Sequence, residues 1–152
     1  MYKRILVPVD GSGTSRRGLQ EAIALARLTG GALRLLHVVD ELSAAMSMSG
    51  QGMVSADMFA LLREGGEQVL AEALAQVQAH QLVAEPVLIE GFSGRLCDHV
   101  LAQAQQWGAE IIVLGSHGRR GVGRMVMGSD AEQIIRTAQV PVLVVRTPDP
   151  AP

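Results

Sequence analysis

The chain alternates between short, unbroken apolar runs and longer stretches whose apolar residues recur at helical spacing. Ile5-Leu6-Val7-Pro8-Val9 is the first run, closed by the turn cluster Asp10-Gly11-Ser12-Gly13. Thr14 to Thr29 follows with Leu19, Ala22, Ile23 and Ala26 on one helical face, and Gly30-Gly31 ends it as a C-cap would. Leu33 to Val39 reads as a second strand. Met58 to His80 reads as a long helix with Leu62, Val69, Leu70, Ala73 and Val77 on one face and a weak point at Gly65-Gly66. Val83 to Ile89 is a third strand. Its Pro86 has no N–H for a ladder and so belongs at a sheet edge. Ser93 can cap a helix running to Trp107 that buries Leu96, Cys97, Val100, Leu101 and Ala104. Glu110 to Leu114, a helix over Ser129 to Ala138, and a last strand over Val140 to Val145 complete the series.

Five strands alternating with four helices predict one α/β domain built on a doubly wound parallel sheet with helices on both faces. The domain is expected to occupy residues 1–147. Residues 148–152 close the chain as a proline-rich tail expected to be disordered. From Asp40 to about Ala56 the sequence is rich in Ser, Met and Gly without a period. It reads either as a binding loop or lid, or as a mobile insertion.

Composition narrows the class further. The 152 residues are 48% hydrophobic, yet Tyr2, Phe59, Phe92 and Trp107 are all the aromatics, so the core must be aliphatic, as in a covered parallel sheet. A net charge of −2 gives no global basic field for nucleic acid or anionic membrane. No apolar run approaches the ~20 residues that span a bilayer, and the first run is too short for a signal peptide. The single cysteine, Cys97, fits a reducing compartment, and the chain is expected to be cytoplasmic.

In such a sheet, ligands sit beyond the carboxyl ends of the strands where the strand order reverses. The loops after the first and fourth strands are therefore the candidates. Residues 115–129 read GSHGRRGVGRMVMGS, with glycines at 115, 118, 121, 123 and 128. Glycine permits close approach and convergent N–H groups, and the helix opening at Ser129 adds free amides and a favourable dipole for phosphate. Arg119, Arg120 and Arg124 supply positive charge. Ser129 to Glu132 also satisfies a capping box, which accounts for both residues without a ligand. The loop holds no lysine and so is not a P-loop, and Val126 stands where a dinucleotide fingerprint needs its third glycine. Asp10 suits either ribose hydroxyls or an Asx-turn.

The spacing Gly115-x-x-Gly118, nine residues, then Gly128-Ser129 resembles the ATP-binding motif of the universal stress protein family. The opening KRILVPVDGS, the strand LLHVVD and the closing PVLVVR are similar to that family too, so the likeness runs to about Arg146. It implies an adenine nucleotide α-hydrolase-like sheet with strand order 3-2-1-4-5. It further implies ATP, with Mg²⁺ held through the phosphates, as the ligand. Pro8, Val9 and Asp10 would line the ribose side, and the backbone around Val38 would meet adenine. Gly115, Ser116, His117, Gly118, Arg119, Arg124, Gly128, Ser129 and Asp130 would surround the phosphates. Asp130 departs from the family pattern, where an apolar residue is frequent. A carboxylate there suits the helix dipole but repels phosphate unless Mg²⁺ bridges them or it points away. The resemblance also implies a homodimer through Val140 to Val145.

Catalytic machinery is not legible. No nucleophile, triad or metal-ligand cluster stands out; His37, His80 and His99 read as packing or surface residues, and Cys97 as core. The expected function is a nucleotide-responsive stress module, the alternatives being a slow Mg-dependent ATPase or a dimeric adaptor independent of nucleotide.

Overall fold

The computed structural model describes residues 1–40, 56–91, 94–116 and 127–146. The strands are β1 (Arg4–Pro8), β2 (Ala32–Val38), β3 (Ala84–Ile89), β4 (Ile111–Gly115) and β5 (Val142–Val145). The helices are α1 (Gly13–Thr29), α2 (Ala56–Ala79), α3 (Leu96–Trp107) and α4 (Ser129–Thr137). All strand pairs are parallel and the sheet order is β3-β2-β1-β4-β5, as the resemblance implies. Pro86 lies exposed on the β3 edge.

Strand alternation divides the core into two layers. Ile5, Val7, Leu33, Leu35 and Val113 pack under α1 and α2, against Leu19, Ala22, Ile23, Leu70, Ala73 and Val77. Leu6, Leu36, Ile112 and Leu114 turn the other way, under α3 and α4, against Cys97, Val100, Ala104, Ala131 and Ile134. The central strands are thus apolar on both faces, which is why they read as continuous runs. Arg34 is the charged exception in β2. Its guanidinium stacks over Trp107 at 4.7 Å from the ring centroid and pairs with Glu85 at 2.7 Å.

Three expectations change. The helix to Trp107 begins at Leu96 with Arg95 in the cap position, and Asp98 turns back to accept the Arg95 N–H at 2.9 Å. The third residue of the helix thus satisfies the N–H of the cap residue itself, and Ser93 lies outside the described residues. The last strand starts at Val142 because Pro141 cannot donate; its carbonyl instead accepts from the Ile112 N–H at 3.0 Å. Gly66 is no weak point. It is buried where α2 crosses His37 and Leu88, and a Cβ there would lie 2.7 Å from His37 Cδ2.

Candidate nucleotide site

The strand order reverses at β1, whose neighbours β2 and β4 leave it in opposite directions, so the crevice lies between the ends of β1 and β4. At the end of β1, the Val9 N–H donates to Leu36 O at 2.8 Å and its buried carbonyl accepts from His37 Nδ1 at 2.7 Å. Asp10 then turns the chain. Its Oδ1 accepts from the Ser12 N–H at 2.8 Å, and its own N–H donates to Ser15 Oγ at 3.1 Å. Ser12 caps α1, accepting the Ser15 N–H at 3.2 Å. The Asx-turn anticipated for Asp10 is therefore present. It holds the carboxylate, half-buried, at the carboxyl end of β1. Ser12 and Ser15 were not foreseen as site-forming residues, although a serine three residues before another at a helix start is a readable signal.

Gly115 closes β4 against the first turn of α1. A Cβ built on it would lie 2.7 Å from both the carbonyl carbon and oxygen of Thr14 and 3.0 Å from Ser15 N. Glycine here serves helix packing as well as any ligand. The next residue, Ser116, is buried; its N–H donates to Val145 O at 2.9 Å and its carbonyl accepts from the Gly128 N–H at 3.0 Å. The glycine-rich segment thus leaves and re-enters the scaffold at one clasp. His117, Gly118, Arg119 and Arg124 lie outside the described residues.

Beyond the clasp, Gly128 is the N-cap of α4 and Ser129 its first helical residue, so the capping box does not form around Ser129. The N-cap glycine has no side chain with which to cap this end, and the helical ladder starts with Glu132 N–H to Gly128 O at 2.9 Å. The first-turn amides of Ser129 and Asp130 open toward the clasp with the positive end of the helix dipole behind them. A helix mouth of this kind favours an anion, and among the described residues the nearest atom to a Cβ added at Gly128 is Ser116 O at 3.7 Å. The Asp130 side chain does not enter it. Its Oδ1 accepts from the Cys97 N–H at 3.3 Å and lies 3.9 Å from Arg95 Nε.

Val38 ends β2, partly buried, in register with Ile89 of β3. The structure therefore brings Pro8 to Asp10, Val38, Gly115, Ser116, and Gly128 to Asp130 to one end of the sheet. Cys97 is core, as expected. Burial, and then the carboxylates of Asp98 and Asp130, push its thiol above its ordinary pKa. Among the described residues, no three His, Cys, Asp or Glu side chains group to hold a metal ion. No helix among them is long and apolar enough to cross a membrane.

Residues 1–146 match the model of the universal stress protein family. Universal stress protein MJ0531 of Methanocaldococcus jannaschii is 30% identical over 97% of this chain and 84% of its own. Universal stress protein A homolog 2 of Coxiella burnetii is 31% identical over 95% of each. Among solved structures, that of MJ0577 superposes with a TM-score of 0.83 at 25% identity, covering 99% of both chains. A universal stress protein of Archaeoglobus fulgidus in complex with dAMP gives 0.69 at 23% identity, over 95% of this chain and 98% of that one. Another in complex with cAMP gives 0.68 at 21%, over 95% and 97%. From the first strand to the last, the chain belongs to the universal stress protein family.

Proposed function

We propose that this protein binds ATP in the crevice between β1 and β4 and acts as a nucleotide-responsive stress module in the cytoplasm. The observation that carries the reading is the mouth of α4, where the N-cap is a glycine with no capping side chain of its own. Its glycine N-cap is hydrogen-bonded to Ser116 at the end of β4, and of its two first-turn carboxylates Asp130 is turned onto another helix and Glu132 pairs with Arg136. In family members with this fold, dAMP and cAMP are bound. In this chain Asp10 would meet the ribose beside Pro8 and Val9, and the backbone at Val38 the adenine. Gly115, Ser116, His117, Gly118, Arg119, Arg124, Gly128 and Ser129 would surround the phosphates. Mg²⁺ would be held by the phosphates themselves. With no identified base to activate water, binding rather than turnover is the reading.

The same reading pairs two copies through β5. That edge is four apolar residues with Leu143 exposed, whereas the β3 edge carries Glu85 and Pro86. Titration calorimetry of the full chain is expected to show ATP binding more tightly than adenosine, because only ATP reaches the α4 amides. No heat with ATP at millimolar concentration removes the nucleotide reading. Sedimentation of the same sample is expected to give a dimer, and a monomer at all concentrations removes the β5 pairing.

A further inference from the structure

Asp130 is the second residue of α4, one past the Ser129 of the proposed phosphate site. A carboxylate at that position, left to itself, would weaken triphosphate binding by repulsion. Its placement gives it other work. Cys97, whose N–H it accepts at 3.3 Å, is the second residue of α3, so the carboxylate sits on the first turn of a neighbouring helix. Amides there lack intrahelical partners, and the dipole favours an anion. Within α3 itself, Asp98 is committed to the Arg95 N–H, and the Arg95 side chain accepts nothing. The acceptor for the Cys97 amide thus comes from α4. Arg95 Nε, 3.9 Å from the same oxygen, adds a second positive partner.

One side chain therefore ties the mouths of two helices together across the sheet's α3/α4 face. We infer that Asp130 is a positioning residue. Resting on the ATP reading above, its carboxylate clamps the first turn of α4 to the first turn of α3 and so fixes the direction in which the Ser129 and Asp130 amides point at the phosphates. The two roles open to this carboxylate differ in sign. If it chiefly repels phosphate, its removal tightens ATP binding; if it positions the amides, its removal weakens it.

The test uses the full chain, with ATP and adenosine measured by calorimetry and amide exchange measured without nucleotide. Asp130→Ala is expected to weaken ATP by roughly tenfold, the scale of a lost hydrogen bond to a charged group. Adenosine, which does not reach α4, should stay within about twofold, because the loss is confined to phosphate contacts. Asp130→Asn keeps an oxygen for the Cys97 amide and should recover most of the ATP affinity. The Cys97 amide should exchange faster in Asp130→Ala than in the wild type. ATP binding that is unchanged or tighter in Asp130→Ala overturns the proposal, as does an equal loss for ATP and adenosine. A wild-type chain that takes no ATP overturns the parent reading and with it the phosphate role. Unchanged exchange at Cys97 overturns the clamp alone.

Discussion

Gly115→Val is expected to abolish the cooperative fold, and Gly115→Ala to cost about 3 kcal/mol, the upper range for forcing extra volume into packed structure. The atoms an added Cβ would strike are Thr14 C, Thr14 O and Ser15 N, all main chain, so no side-chain rotation relieves the clash. Nor can α1 simply slide away. Its start is fixed by Ser12 and by the Asp10 N–H bond to Ser15 Oγ, and Gly18 one turn later lies just as close, 3.2 Å from Gly115 N to its would-be Cβ. Denaturant unfolding of Gly115→Ala is the measurement; a loss below about 1 kcal/mol would show that helix and strand can part cheaply. Gly128→Ala makes the contrast. Its φ of −58° suits alanine and the nearest described atom to an added Cβ is at an ordinary 3.7 Å, so the protein should fold with a loss of at most about 1 kcal/mol, from the poorer cap. A glycine substitution that asks about phosphate binding is therefore interpretable at 128. At 115 it asks about folding first.

The second large effect is expected where α2 crosses β2. His37 is buried and its Nδ1 donates to the Val9 carbonyl, itself buried, so His37→Ala leaves a cavity and an acceptor without its partner. The two together should cost about 3 kcal/mol. Gly66→Ala alone should also destabilise, because its Cβ would press on His37 Cδ2 at 2.7 Å and Leu88 Cδ1 at 2.9 Å. In the double variant the new methyl occupies space left by the imidazole, and alanine is the better helix former by about 1 kcal/mol. The double variant should thus be less destabilised than the sum of the singles, by about 1 kcal/mol or more. Additive losses in the four-member unfolding cycle would mean that the two residues do not share that space.

These two sites also mark the limit of what the sequence discloses. The five strands were legible because buried central strands are unbroken apolar runs, and Pro86 marked one of them as an edge, but the full sheet order was readable only through the family resemblance. The place of the candidate site followed from topology, and the 115–129 loop from its glycines and the helix that opens at Ser129, whereas the individual phosphate-side residues came from the family resemblance. What Gly115 does was not legible. A pattern of glycines does not say whether the missing side chain makes room for a ligand or for a neighbouring helix, and here that neighbour is 100 residues away in sequence at Ser15. The direction of Asp130 was hidden for the same reason: its partners, Arg95 and Cys97, belong to another helix. Gly65-Gly66 looked like a defect because helix propensity is local, whereas the reason for Gly66 is an imidazole on β2.

The two margins of the sheet are built differently, and this bears on how far assembly can proceed. The β3 edge lacks one donor at Pro86 and carries the charged Glu85, whereas the β5 edge is Val-Leu-Val-Val with neither proline nor charge. Joining two molecules along β5 by a twofold axis, as proposed, would use up the apolar edge of each described sheet and leave the β3 edges outermost. In the proposed pairing, growth would terminate at a pair, and a sheet that could otherwise seed a fibre would be self-limiting.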